Sequence, residues 1–434
     1  RIVNTNPLYT EREMIHQFND SGVKALLCLD IFAKSVENVQ DKTSLELIIT
    51  TSLADLVPGF KRLLINTAVK HVKKMVPKYH LPKAISFRKL LKRHLGKGFK
   101  KAHLKESNDT IVLQYTGGTT GVAKSAELTN ECLVANMLQA RAAMAQQDKD
   151  GKKILSDGQS ILVAPLPLYH IYSFALHLMT FFSKGEHSVL IANPRDTDTF
   201  IKAMKPFKVN GILGLNTLFV SLMNKPQFKN LDFSEMVLTL SGGTALSEDT
   251  AKRWLETTGV TITEAYGLTE CSPAVCMNPM NGLEQIGSVG YPLPGTALKC
   301  IDENGNEVAI GERGELCVKG PQVMKGYWNR PDETAKSLTP DGQWLLTGDV
   351  ATIAEDGFVR IVDRLKDMII VSGFNVFPNE IEDVVSHHPS IANCAVIGVP
   401  HEKSGEVVKL FIELHAGEEL TNQEVIDFCK KQLT

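Results

Sequence analysis

Ile111-Val-Leu-Gln-Tyr115, running into Thr116-Gly-Gly-Thr-Thr-Gly-Val-Ala-Lys124, reads as a buried strand followed by a loop shaped for an anion. Gly117, Gly118 and Gly121 let the backbone turn tightly and aim amide N–H groups at one point. Thr116, Thr119 and Thr120 add hydroxyl donors, and Lys124 adds a cation. The pattern places a strand before the loop and a helix after it. It is not the P-loop of nucleoside triphosphatases. That loop needs its second Gly five places after the first, followed by Lys, and Val122 stands where the second Gly would be.

Outward from the loop, short apolar runs alternate with helix-like stretches. Ala25–Leu29, Leu45–Ile49, Ile161–Val163, Val189–Ile191, Gly211–Leu213 and Val237–Leu240 read as buried strands, with helices over Asn130–Gln146 and Asp196–Lys205 between some of them. This order predicts α/β layers with mainly parallel strands. Near Gly287 the texture becomes Gly- and Pro-rich, with short strands at Ala297–Ile301, Gly314–Lys319, Val350–Ala354 and Phe358–Val362. That is a β-rich subdomain. After Asp363 the pattern is α+β again: a helix over Asn379–His387, strands Ala392–Gly398 and Val407–Leu414, and a last helix opened by a Thr421/Glu424 capping box. The expected fold is a large N-terminal domain of α/β layers (1–286), a β-rich subdomain (287–363), and the start of a small α+β C-terminal domain (364–434). A start at Arg1 and an end close to one helix read as missing termini.

Composition narrows the class. The chain has 434 residues, 43% hydrophobic and 22% charged, which excludes a disordered, collagenous or coiled-coil chain. The net charge of −2 gives no global pull toward nucleic acid. Eight cysteines without a C-x-x-C pair read as reduced thiols of a cytoplasmic protein rather than a zinc site or disulfide framework. Gln159–Ser183 carries no charge, but Pro165 and Pro167 break any single spanning helix. A buried strand, a loop and a buried helix are expected there.

Lys61–Lys105 departs from the average, with fifteen Lys or Arg and no Asp or Glu. Ile65, Val69, Val72 and Val76 recur at helical spacing among its lysines. Two readings stand: a membrane-surface element contacting anionic lipid at the inner face of the cell membrane, or an ordinary core stripe with a solvated basic face. RNA is a weaker partner, because aromatic side chains for stacking are sparse.

Further motifs stand in order: Tyr266-Gly-Leu-Thr-Glu270, Thr347-Gly-Asp349, Asp363-Arg-Leu-Lys-Asp-Met368 and Ser372-Gly-Phe-Asn-Val-Phe-Pro378. With the glycine–threonine loop, they make the chain resemble the AMP-forming adenylating superfamily, and within it the bacterial long-chain fatty-acid–CoA ligases. The resemblance runs through nearly the whole chain. It implies ATP-dependent activation of a fatty acid to acyl-AMP, transfer to CoA, and a C-terminal domain that moves about a hinge at Lys366. It also implies site roles. Tyr115 would take part in nucleotide binding, and Thr116, Gly117, Gly118, Thr119, Thr120, Gly121 and Lys124 would cradle the β- and γ-phosphates. Thr116 and Glu270 would hold Mg²⁺, a hard cation that prefers oxygen. Thr269 would bond the α-phosphate. Tyr266 would stack on adenine beside Gly242 and Gly243. Asp349 and Arg364 would hold the ribose, His170 would meet the carboxylate, and Gly373 would line the CoA channel. Ala265, Asn130 and Leu346 depart from the family's usual residues, and nothing after Asn379 matches the motif of its catalytic lysine. Other readings are an aryl-CoA ligase, a ligase loading a carrier protein, and a non-catalytic nucleotide- or acyl-binding scaffold. Oligomeric state is not legible from the sequence.

Overall fold

The apolar runs form strands in the computed structural model, which describes residues 1–98, 106–116, 123–146, 155, 157–372, 374–401 and 403–430. Gly117, Gly118, Thr119, Thr120, Gly121 and Gly373 lie outside the described residues. The chain divides into two units, Arg1–Asn130 with Lys325–Asn329, and Glu131–Met324 with Arg330–Thr434.

The first unit contains β1 (Ile2–Val3), β2 (Ala25–Leu29), β3 (Leu47–Thr51), β4 (Ile85–Ser86), β5 (Thr110–Thr116) and β6 (Lys124–Thr129). Strands β2, β3 and β4 form a parallel sheet, with Ala25 opposite Leu47 and Ile49 opposite Ile85. The helix Glu11–Ser21 starts at a Thr10/Glu13 capping box and buries Met14 and Phe18 beside Val39. In the second sheet β5 lies between β1 and β6.

One expectation is corrected here. The loop after β5 leads into a strand, and the helix Asn130–Met144 begins only afterwards. β6 runs antiparallel to β5, with Thr116 opposite Lys124. Its other edge is also paired: Glu127 N–H donates to the Gly326 carbonyl at 2.8 Å, and Trp328 N–H to that of Ser125 at 2.8 Å. Pairing on both edges satisfies the backbone of 124–129 as a strand, so no helix N-terminus follows the loop directly.

The second unit is built on a seven-stranded sheet of β7 (Ile161–Ala164), β8 (His187–Leu190), β9 (Gly211–Gly214), β10 (Leu238–Gly242), β11 (Ile262–Gly267), β12 (Ala274–Met277) and β13 (Tyr291–Pro292). Its order is β13-β12-β11-β10-β9-β7-β8. The run from β8 to β11 is parallel, and β12 and β13 are antiparallel. Residues from this sheet and its helices form the core. Trp254 is fully buried, packs tilted against Phe219 with ring centroids 4.7 Å apart, and donates its indole N–H to Thr239 Oγ1 at 3.0 Å. The uncharged stretch resolves as expected into β7, a proline-containing loop, and a buried helix whose Phe174–Phe181 part is π-helical. Among the described residues, no helix is long and apolar enough to cross a membrane.

An antiparallel sheet follows: β14 (Ala297–Ile301), β15 (Gly314–Lys319), β16 (Leu345–Ile353) and β17 (Val359–Arg364). The last sheet contains β18 (Ile369–Val371), β19 (Phe374–Val376), β20 (Ile391–His401) and β21 (Gly405–Leu414). The helices Pro378–Ser386 and Asn422–Cys429 belong to this α+β region, and the Thr421/Glu424 capping box is formed.

Candidate active site

Strand β11 ends on Tyr266-Gly267, and the chain turns sharply at Thr269–Cys271. Gly267 is needed at this turn: a Cβ there would sit 2.2 Å from the Pro273 carbonyl oxygen. The turn leaves Thr269 and Glu270 half-buried beyond the carboxyl edge of the parallel strands. That edge is where open α/β sheets take ligands. Gly242, at the end of β10, is buried against Ala265 and Tyr172, and the next residue, Gly243, is exposed.

Asp349 comes from the neighbouring antiparallel sheet. The Tyr266 hydroxyl donates to Asp349 Oδ2 at 2.5 Å, joining residues 83 positions apart. Arg364 sits opposite Asp349 across β16 and β17, its Nε 3.7 Å from Oδ1. Burial is the main influence raising the Asp349 carboxyl above its ordinary value, with the Tyr266 bond and the Arg364 charge opposing it. Asp349, Tyr266 and Arg364 therefore form one acceptor–donor cluster. A carboxylate offers several lone pairs, so Asp349 can accept from two ligand hydroxyls as well as from Tyr266.

Lys366 lies two residues beyond Arg364. With Asp363, Asp367, Asn379 and Glu382 it lines a cleft of about 350 Å³. Asp363 is buried and accepts from the backbone N–H of Arg364 at 2.7 Å and of Asn379 at 2.9 Å. These bonds brace the strand end that presents Arg364.

His170 caps the helix that begins at Ile171, its Nδ1 accepting from Tyr172 N–H at 3.3 Å. That bond assigns the proton of the neutral ring to Nε2, which is then a donor. Desolvation holds the imidazole below its ordinary value and so favours this neutral form. Tyr172 donates to the Leu240 carbonyl at 3.3 Å.

In the first unit, Tyr115 is buried, and its hydroxyl donates to Asp20 at 2.7 Å. Lys124 Nζ lies 4.3 Å from the Tyr327 ring centroid. Thr116 is the last residue of β5. Among the described residues, no group of three or more His, Cys, Asp or Glu side chains could hold a metal ion.

Sequence reading passed over two carboxylates. Glu315 accepts the Gly348 N–H at 3.0 Å. Glu264 is buried on β11 and accepts the Gly287 N–H at 2.8 Å. Burial pushes its carboxyl up to about 7. Neither stands in a spacing pattern that marks a role.

Comparisons with known proteins agree over the whole chain. A family profile described as "AMP-binding enzyme" matches residues 1–328, and one described as "AMP-binding enzyme C-terminal domain" matches 380–434. A long-chain-fatty-acid–CoA ligase of Salmonella typhimurium is 46% identical over 436 aligned residues, covering 100% of this chain and 75% of the relative. The Haemophilus influenzae protein of the same name is 43% identical, with the same coverage. The crystal structure of ATP-bound MatB from Rhodopseudomonas palustris superposes with a TM-score of 0.78 at 27% identity, covering 99% of this chain and 76% of that one.

Proposed function

The chain belongs to the AMP-binding enzyme family, and from that premise we propose that it is a long-chain fatty-acid–CoA ligase. The fatty-acid carboxylate attacks the α-phosphate of ATP, giving acyl-AMP and pyrophosphate. The CoA thiol then attacks the acyl carbonyl, giving acyl-CoA, AMP and a proton. Identity of 43–46% to ligases of that name, across the whole chain, carries this reading.

The site residues take roles that their chemistry supports. Tyr266 stacks on adenine beside Gly242 and Gly243, while Asp349 and Arg364 hold the ribose hydroxyls. Thr269 donates to the α-phosphate. Thr116 to Gly121 and Lys124 neutralise the outer phosphates. Because a strand follows that loop, donors and the lysine charge do this work without an adjoining helix terminus. Thr116 and Glu270 hold Mg²⁺, which when bound adds positive charge where two anions must meet. His170 donates from Nε2 to the carboxylate. Residues 1–286, 287–363 and 364–434 form the three functional parts, with Lys366 as the hinge and Gly373 on the CoA path. Pyrophosphate exchange and CoA-dependent thioester formation, measured with acids of increasing chain length and with benzoates, test the reading. It predicts that exchange requires Mg²⁺ and favours long chains. Exchange driven by benzoates and not by fatty acids would overturn it.

The basic segment is assigned to an anionic membrane on the cytoplasmic side, where ATP and CoA are supplied. No residue of the helix Gly59–Thr67 is buried. Phe60, Leu63 and Leu64 are 69%, 58% and 54% exposed, and Val72 in the following turn is 76% exposed. Lys61, Arg62, Lys70, Lys73 and Lys74 accompany them. The core-stripe reading accounts for Val69, which is buried, but not for Ile65 or Val72. Flotation with anionic vesicles tests the contact; equal recovery with neutral vesicles would count against it.

A further inference from the structure

Asp349 pairs with Arg364 on its β17 side, but on its β15 side it does not sit in a regular ladder. Glu315 pairs with Val350 and Cys317 with Leu346, so Thr347, Gly348 and Asp349 face Leu316 alone. This is a bulge in β16, and bulges bend a strand and re-aim a side chain at the cost of ladder hydrogen bonds. Gly348 adopts a φ of 72°, in the left-handed region.

Side chains replace the lost ladder bonds. Thr347 Oγ1 donates to the Leu316 carbonyl at 2.8 Å and accepts the Asp349 N–H at 3.1 Å. The Gly348 N–H donates to Glu315 Oε1 at 3.0 Å. On the opposite side, the Gly348 carbonyl accepts the N–H of Leu365, immediately before Lys366, at 2.8 Å. The Gly348 peptide is thus held at both ends. Glu315 serves this position at an electrostatic cost. Burial is the main influence raising its carboxyl, and the Asp349 charge raises it further.

We infer that Glu315 is a positioning residue for nucleotide recognition: by clamping the Gly348 amide it locks the bulge that aims Asp349 at the ribose hydroxyls. The inference rests on Asp349 holding the ribose. Glu315 touches no nucleotide; its effect passes through Gly348 to Asp349 and must therefore be confined to the ribose hydroxyls.

Calorimetric titration with ATP and with 2′,3′-dideoxy-ATP tests this on wild type, E315A, E315Q, D349N and the E315A/D349N double variant. E315A should weaken ATP roughly fivefold to tenfold, less than the tenfold or more of a direct bond to a charged acceptor because its effect reaches the ligand only through Asp349, and dideoxy-ATP by less than about twofold. E315Q retains an acceptor for the Gly348 N–H and should recover most of the ATP affinity. The double variant should bind ATP about as D349N does, because the two residues act through one contact. Equal loss for both nucleotides in E315A, no recovery in E315Q, or additive losses in the double variant would each overturn the inference. If D349N separates the two nucleotides and E315A does not, only the role of Glu315 falls. If D349N itself treats them alike, the ribose assignment fails and takes this inference with it.

Discussion

The Tyr266–Asp349 region and the basic helix Gly59–Thr67 solve opposite problems. In the first, polar side chains meet inside the fold: Tyr266 bonds Asp349, Glu315 bonds Gly348, and Glu264 bonds Gly287. In the second, apolar side chains stay outside, with Phe60, Leu63 and Leu64 more than half exposed. Buried polar groups are stable only when partnered, which fixes geometry and makes a binding site selective. Exposed apolar groups flanked by cations, left uncovered among the described residues, suit a fluid, anionic surface. Substitutions in the first region should act on one contact and be insensitive to salt. Those in the second should be graded, additive and screened.

The largest expected effect lies in the interior region. Glu264 titrates near 7 in the native state against an ordinary value of 4.5. Between those values the native state holds a proton that the unfolded chain has released, so stability falls as pH rises through that window. The full shift is at most ~3 kcal/mol, and Glu264→Gln should flatten the dependence. Urea unfolding across pH checks it; an unchanged slope in the variant would mean the burial of Glu264 is relieved in solution.

Next, Asp349→Asn should weaken ATP binding on the order of tenfold to a hundredfold, from ~1.5–3 kcal/mol for bonds to a charged acceptor. Wild-type affinity should also decline on acidification, because burial raises the Asp349 carboxyl and the protonated form accepts fewer bonds. Affinity independent of pH would separate Asp349 from the ligand.

In the exposed region, Leu63→Ala with Leu64→Ala should cost roughly 1.5–3 kcal/mol of vesicle affinity, given the apolar area each side chain can bury. Lys73→Gln should cost about 1 kcal/mol at low salt and little at high salt. Cosedimentation with anionic vesicles reads both. A salt-independent loss for Lys73→Gln would make the region resemble the interior one and erase the contrast.

The smallest effect is that of Tyr266→Phe, which keeps the ring and removes the donor to Asp349. It should weaken ATP binding by a few-fold, near the ~1 kcal/mol net value of one hydrogen bond. Tighter binding would instead mean that the tyrosine hydroxyl competes with the ribose.

Much of the fold was legible because local patterns carry it. Ala25–Leu29, Ala297–Ile301 and Gly314–Lys319 are strands with the bounds that their apolar spacing predicts. The Thr421/Glu424 cap forms because both partners lie within one turn. The strand after the glycine–threonine loop was not legible. Residues 124–129 lack a strong strand signature, and they extend because β5 and the segment near Gly326 pair with both their edges. Glu315 was hidden for the same reason: its partner, Gly348, is 33 residues away and is brought near by a bulge.

From the residues alone came the alternation of parallel-sheet and antiparallel regions, the anion-shaped loop, the basic block, and the order of motifs that marks the family. These depend on backbone freedom, side-chain chemistry and spacing within a few residues. Tertiary structure alone decided which donor meets which acceptor: Tyr266 with Asp349, Glu315 with Gly348, and the exposure of Leu63 rather than its burial. Such pairings depend on strand register and on what packs over a surface, and no local pattern in the chain encodes either.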